Sequence, residues 1–198
     1  MQSTSLANSN SKRHLISSQV VGVLVLVFVE TMFFSALLSS YFVMKKGREI
    51  WDAAGAVHLP VLATGFNTLV LLASGISLFF AGKALRNQQD IQSAVTHLFR
   101  TIILACCFLA FQIFMGAQLI NAGLTMSSSV FGGCYHLMVG THLLQAVLGV
   151  FFMIKLYSKL KSSGQTLQNS LRDEFNALQI FWIFVVGMWP VLYAEIYL

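Results

Sequence analysis

The segment Tyr135–Phe152, YHLMVGTHLLQAVLGVFF, decides the class of this protein. It is an apolar run interrupted by His136, His142 and Gln145. A stretch suited to the interior of a bilayer has no water to satisfy an imidazole or an amide. Each such group needs a partner inside the protein or marks a functional path.

Similar runs recur along nearly the whole chain. Of its 198 residues, 57% are hydrophobic and only 10% charged, where soluble domains carry about 25% charged residues. The expected fold is therefore all-α: a single membrane domain, built as a bundle of five transmembrane helices. The spans lie at about 15–44, 59–82, 98–122, 134–156 and 175–198, behind a polar and mobile tail of residues 1–14. Each run reaches the roughly 20 residues that cross a hydrocarbon core.

The net charge of +5 does not point to nucleic acid, because the basic residues sit in short connections and form no patch. Nine of the twelve Lys and Arg residues fall on the side that holds the N-terminus, leaving Lys45, Lys46 and Arg48 opposite. The positive-inside rule then predicts a cytoplasmic N-terminus and a C-terminus on the opposite side of the membrane. Cys106, Cys107 and Cys134 show no CxxC spacing and read as small packing residues.

Glu30 lies near the middle of the first span. A charged carboxylate there costs about 2.5–3.5 kcal/mol on insertion scales, so it is expected to be protonated or hydrogen-bonded within the bundle. Ser35, Ala36, Ser39 and Ser40 follow it and read as a face for close helix packing. Trp51 and the charges around it suit a membrane interface. Asn67 in the second span reads as an interhelical hydrogen-bonding group. Gln112 and Gln118 are separated by about 240° around the third helix and cannot serve one site. Pro190 removes a backbone hydrogen bond in the last span, and a local bend is expected there.

His136 and His142 are also about 240° apart, so they cannot chelate a metal from one helix face; a helical pair needs a spacing of three, four or seven. His142 and Gln145 do face the same way. A polar cluster that fixes helix packing is one reading. A sharper one sets His142 against Glu30, which lies at a similar depth. His14, His58 and His97 fall in connections or at helix ends. No phosphate-binding loop, nucleophile elbow, HExxH or CxxCH is present, and the spans hold no paired carboxylates. No catalytic, cofactor or metal site is expected in this chain.

The segment VETMFFSALLSSYFVMKKG around Glu30 resembles a glutamate-Met-Phe-Phe element of subunit III of haem-copper oxidases. GGCYHLMVGTHLLQAVLGV is similar to a later element of that family, HLPVLATGFNTLVLLASGISLFFA and FLAFQ to elements between the two, and FWIFVVGMWPVLYAEIYL to its terminal aromatic helix. The resemblance extends over all five spans and fits the five-helix bacterial form. Three positions depart from the pattern: Gln145 replaces a histidine, Met115 a glutamate, and Ile183–Val186 an H-F-V-D element.

The resemblance implies a non-catalytic accessory subunit of a terminal respiratory oxidase. Haem and copper would reside in the partner catalytic subunit I. This chain would pack against it and other oxidase subunits, within a respiratory supercomplex in some settings, bind phospholipid and support proton uptake. Glu30, His142 and Gln145 would be the buried polar, proton-linked or lipid-cleft positions. Asn67, Gln112, His136 and Trp189 would be packing or hydrogen-bonding positions. A related subunit serving a nitric oxide reductase is an alternative that these residues do not separate. A small transporter is another, but it would need a polar face continuing along at least one helix.

Overall fold

The computed structural model describes residues 17–46, 60–86, 91–162 and 169–197. They form five helices: α1 (Ser18–Lys46), α2 (Val61–Arg86), α3 (Ile91–Asn121), α4 (Val130–Ser162) and α5 (Asn169–Tyr197). All five are long and apolar enough to cross a membrane. The tail of residues 1–14, Trp51 and the histidines His14 and His58 lie outside the described residues.

The helices outrun the apolar limits read from the sequence. α3 begins at Ile91 and α4 extends over Val130–Ser162, because backbone hydrogen bonds continue where the side chains turn polar. Apolarity marks the depth of a bilayer, whereas helix length is set by caps. At the end of α3 the cap is Gly123, with φ +94°. Its N–H reaches Ile120 O at 3.0 Å, and Leu124 N–H reaches Leu119 O at 2.9 Å. This paired closure needs a left-handed residue, which glycine provides without steric cost.

α5 is the centre of the bundle and packs against α1, α2 and α4; α3 completes the ring by packing on α2 and α4. The α2–α5 seam is close because α2 presents glycines to it. A Cβ on Gly65 would stand 2.8 Å from the Tyr193 hydroxyl, and one on Gly82 would stand 2.8 Å from Gln179 Oε1. Two indoles of α5 bridge the same seam: Trp182 Nε1 donates to Ser74 Oγ at 3.1 Å, and Trp189 Nε1 donates to Thr68 Oγ1 at 2.9 Å. α5 passes through Pro190 as one continuous helix.

α1 is peripheral. Its inward stripe, Val20, Val23, Val27, Glu30, Phe34, Leu37 and Tyr41, recurs at alternating steps of three and four, the spacing of a helix seam. Only Phe34 and Tyr41 on α1 are fully buried. Ser35, Ala36, Ser39 and Ser40, expected to be a packing face, lie off this stripe and are exposed. Ser35 turns its hydroxyl onto Thr31 O of its own helix at 2.7 Å. The cysteines also depart from expectation: Cys106 and Cys107 face outward, and Cys134 is half-buried. The reason is the same in each case, since smallness permits close packing and does not determine which face meets a neighbour.

α4 approaches α5 tightly at Gly149, where an added Cβ would stand 2.7 Å from the Trp182 ring. Trp182 is held on its other side by Ser74, so it has little room to yield. Gly149→Val is therefore expected to destabilise the bundle by about 1–3 kcal/mol through overpacking. Gly140→Val, at a position with nothing within 4 Å of an added Cβ, should change little. Thermal unfolding of the two variants in detergent checks this.

Candidate functional site

The inward stripe of α1 brings Glu30 to face α4. There Gln145 Nε2 donates to Glu30 Oε2 at 2.6 Å. The carboxyl is thus partnered inside the bundle, but by Gln145 and not by His142. The two residues of α4 are three apart, about 60° around the axis on the short side. That rotation is enough to send Gln145 toward α1 and His142 toward α5.

His142 is completely buried. Its Nε2 lies 3.0 Å from Val185 O; a carbonyl only accepts, so Nε2 carries the proton. Nδ1 has no hydrogen-bond partner. The ring is enclosed by Trp189, with centroids 4.9 Å apart, and by Phe108 at 6.2 Å. His136 turns back on its own helix, with Nδ1 2.8 Å from Gly132 O. The two histidines therefore have separate surroundings. Among the described residues, no three His, Cys, Asp or Glu side chains gather where they could hold a metal ion.

A second polar cluster links α2 to α3. Asn67 Nδ2 donates to Gln112 Oε1 at 3.2 Å and to Phe108 O at 3.3 Å. Gln112 is buried, whereas Gln118 is exposed on another face of α3. Met115 is buried. Tyr135 and Tyr197 join α4 to α5 through hydroxyls 2.9 Å apart, and Tyr41 of α1 donates to Glu195 O at 3.1 Å. These tyrosines and the Trp182–Ser74 pair escaped the reading of the sequence. The available signal was the single donor that each indole or phenol must satisfy inside an apolar helix.

Between α1, α4 and α5 lies a cleft of about 450 Å³. Glu30 and Gln145 line it together with Val23, Leu26, Leu148, Phe152 and Phe181. Toward the end of the bundle that holds the start of α1, it is bordered by Gln19, Lys155, Lys159 and Glu174. Lys159 Nζ bonds both Glu174 carboxylate oxygens, at 2.8 and 2.7 Å. This exposed pair contributes little to stability but ties the ends of α4 and α5 at the cleft's rim.

Comparison with known proteins places this architecture. The family model for cytochrome c oxidase subunit III matches residues 7–198. The chain is 23% identical to cytochrome c oxidase subunit 3 of Thermostichus vulcanus, over all of this chain and 94% of that one. It is 27% identical to the Corynebacterium diphtheriae protein of the same name, over 89% of this chain and 86% of the relative. For the Marchantia polymorpha protein the identity is 30%, over 89% of this chain and 66% of the relative. With five helices able to span a membrane and a match that runs from residue 7 to the last residue, the chain belongs to the cytochrome c oxidase subunit III family.

Proposed function

We propose that this chain is the non-catalytic accessory subunit III of a terminal haem-copper oxidase in a bacterial inner membrane. It packs against the catalytic subunit that carries haem and copper, stabilises it, and supports its proton uptake. The observation that carries this reading is the family match over residues 7–198, along the whole bundle. The N-terminus lies on the cytoplasmic side, as the distribution of Lys and Arg favours. A phospholipid sits at the cytoplasmic mouth of the α1–α4–α5 cleft, its head group against Lys155. The buried polar groups hold helix register, and Glu30 is the proton-linked position, because its carboxyl lines the cleft away from Glu174, which is paired with Lys159 at the rim.

Two measurements test this. Tagged chain purified in mild detergent is expected to bring down a haem-copper catalytic subunit, while the chain isolated from its partners should show no haem band. Recovery of the intact chain without any haem-copper protein would end the accessory reading. Glu30→Gln retains a hydrogen-bonding partner for Gln145 and should preserve assembly. Glu30→Leu leaves the amide unpaired, at a cost of about 1–3 kcal/mol, and should speed the loss of oxidase activity over repeated turnover. An unchanged time course in the Leu variant would show that the carboxyl has neither a structural nor a proton-linked role.

A further inference from the structure

The inward stripe of α1 does not end at Tyr41. One further step of three reaches Met44, where α1 runs into Lys45 and Lys46 and out of its apolar stretch. There it meets the start of α4, with Cys134 Sγ 3.7 Å from Met44 Sδ. A soft ion in trigonal or tetrahedral coordination, holding both sulfurs at about 2.3 Å, would set them about 3.8–4.0 Å apart. The pair already stands close to that separation.

Both sulfurs can be reached from outside. Met44 is 43% exposed and Cys134 is half-buried, and the two lysines that follow Met44 put the pair at the edge of the membrane. Cys106 and Cys107 face outward from the middle of α3 instead, where an ion would have to enter hydrocarbon. The neighbouring donors limit what the pair can hold. His136 donates through Nδ1 to Gly132 O, and its Nε2 is enclosed by the protein. The Tyr41 hydroxyl is given to Glu195 O. Neither the imidazole nor the phenol adds a ligand, which leaves a thiolate and a thioether. That combination selects Cu(I), whereas Zn(II) asks for four ligands.

We infer that Met44 and Cys134 form a site for a monovalent soft metal ion, Cu(I) in class, which bridges α1 to α4 and keeps a third position open to a ligand from outside the chain. The ion holds its oxidation state on binding. The Cys134 S–H bond breaks, its proton passes to water, the thiolate takes the ion and the thioether adds a lone pair. A two-sulfur site with an open position gives up its ion to a competing thiol, so it suits transit and not storage. While bound, the ion fastens the end of the peripheral helix α1 to α4. The site depends on two helix ends alone, whatever assembly the chain joins.

The test uses the full chain in mild detergent, anaerobic and reduced with a phosphine, in a Cys106→Ala/Cys107→Ala background that leaves Cys134 as its one thiol. Equilibrium dialysis of Cu(I), kept soluble by acetonitrile, is expected to show one ion per chain, displaced by Ag(I) and not by Zn(II). Cys134→Ser should abolish binding. Met44→Leu, which keeps the size of an exposed side chain, should weaken it by at least the roughly tenfold that even an outer-sphere partner of a metal contributes. Where a variant does not fold, alkylation of the background chain by N-ethylmaleimide decides: one equivalent of Ag(I) should slow labelling of Cys134. No retained Cu(I), displacement by Zn(II), an affinity unchanged in Met44→Leu, or labelling at the same rate with and without Ag(I) would each overturn the inference. Copurification of a haem-copper subunit tests the accessory reading separately and is untouched by any of these results.

Discussion

An indole in a bilayer has one N–H and no water to give it to, and α5 carries two such indoles on the face that meets α2. Trp182 and Trp189 find hydroxyls at Ser74 and Thr68, seven and six residues from each other on antiparallel helices, so both bonds form in only one register. That register puts the glycines of α2 under Tyr193, Val186 and Gln179. Each interhelical bond contributes about 0.6 kcal/mol on average; their larger effect is to exclude the shifted alternatives, in which a buried donor would be left unpaired.

Once α5 is fixed against α2, the remaining polar positions have few choices. His142 of α4 meets the Val185 carbonyl within the ring of Phe108 and Trp189. Trp189 thus serves two neighbours, bonding to α2 by its edge and covering His142 with its face. α1 has far less holding it. It is joined through Tyr41 to α5 and through Glu30 to Gln145, with most of its surface exposed. The cleft exists because α1 touches the bundle along a stripe that closes at Glu30 and opens toward Gln19 and Lys155. A family assignment and a ligand-sized space thus depend on different parts of the molecule. The first follows from the whole bundle, and the second from the loosely held helix.

Gln145 carries the polar link between α4 and α1. Its amide gives an N–H to the carboxyl of Glu30, while its Oε1 is enclosed by the protein without a partner. On the inner face of α3, Met115 buries a thioether. Its flexible chain fills space without requiring a partner.

The sequence by itself determined the class, the number of spans and the family. Apolar length is a one-dimensional property, and the polar residues that interrupt it can be read in order along the chain. It also separated His136 from His142 and Gln112 from Gln118, since a single helix fixes the angle between its own residues. The tertiary structure alone decided partners. Whether Glu30 met His142 or Gln145 turned on about 60° of rotation of α4, and whether Ser35 and Ser39 packed or faced outward turned on which stripe of α1 carried Phe34 and Tyr41. Neither is encoded within one helix; both follow from how ridges of neighbouring helices seat together. The same holds for Ser74 and Thr68, ordinary hydroxyls in the sequence that become the anchors of α5 only when two tryptophans arrive from more than 100 residues away.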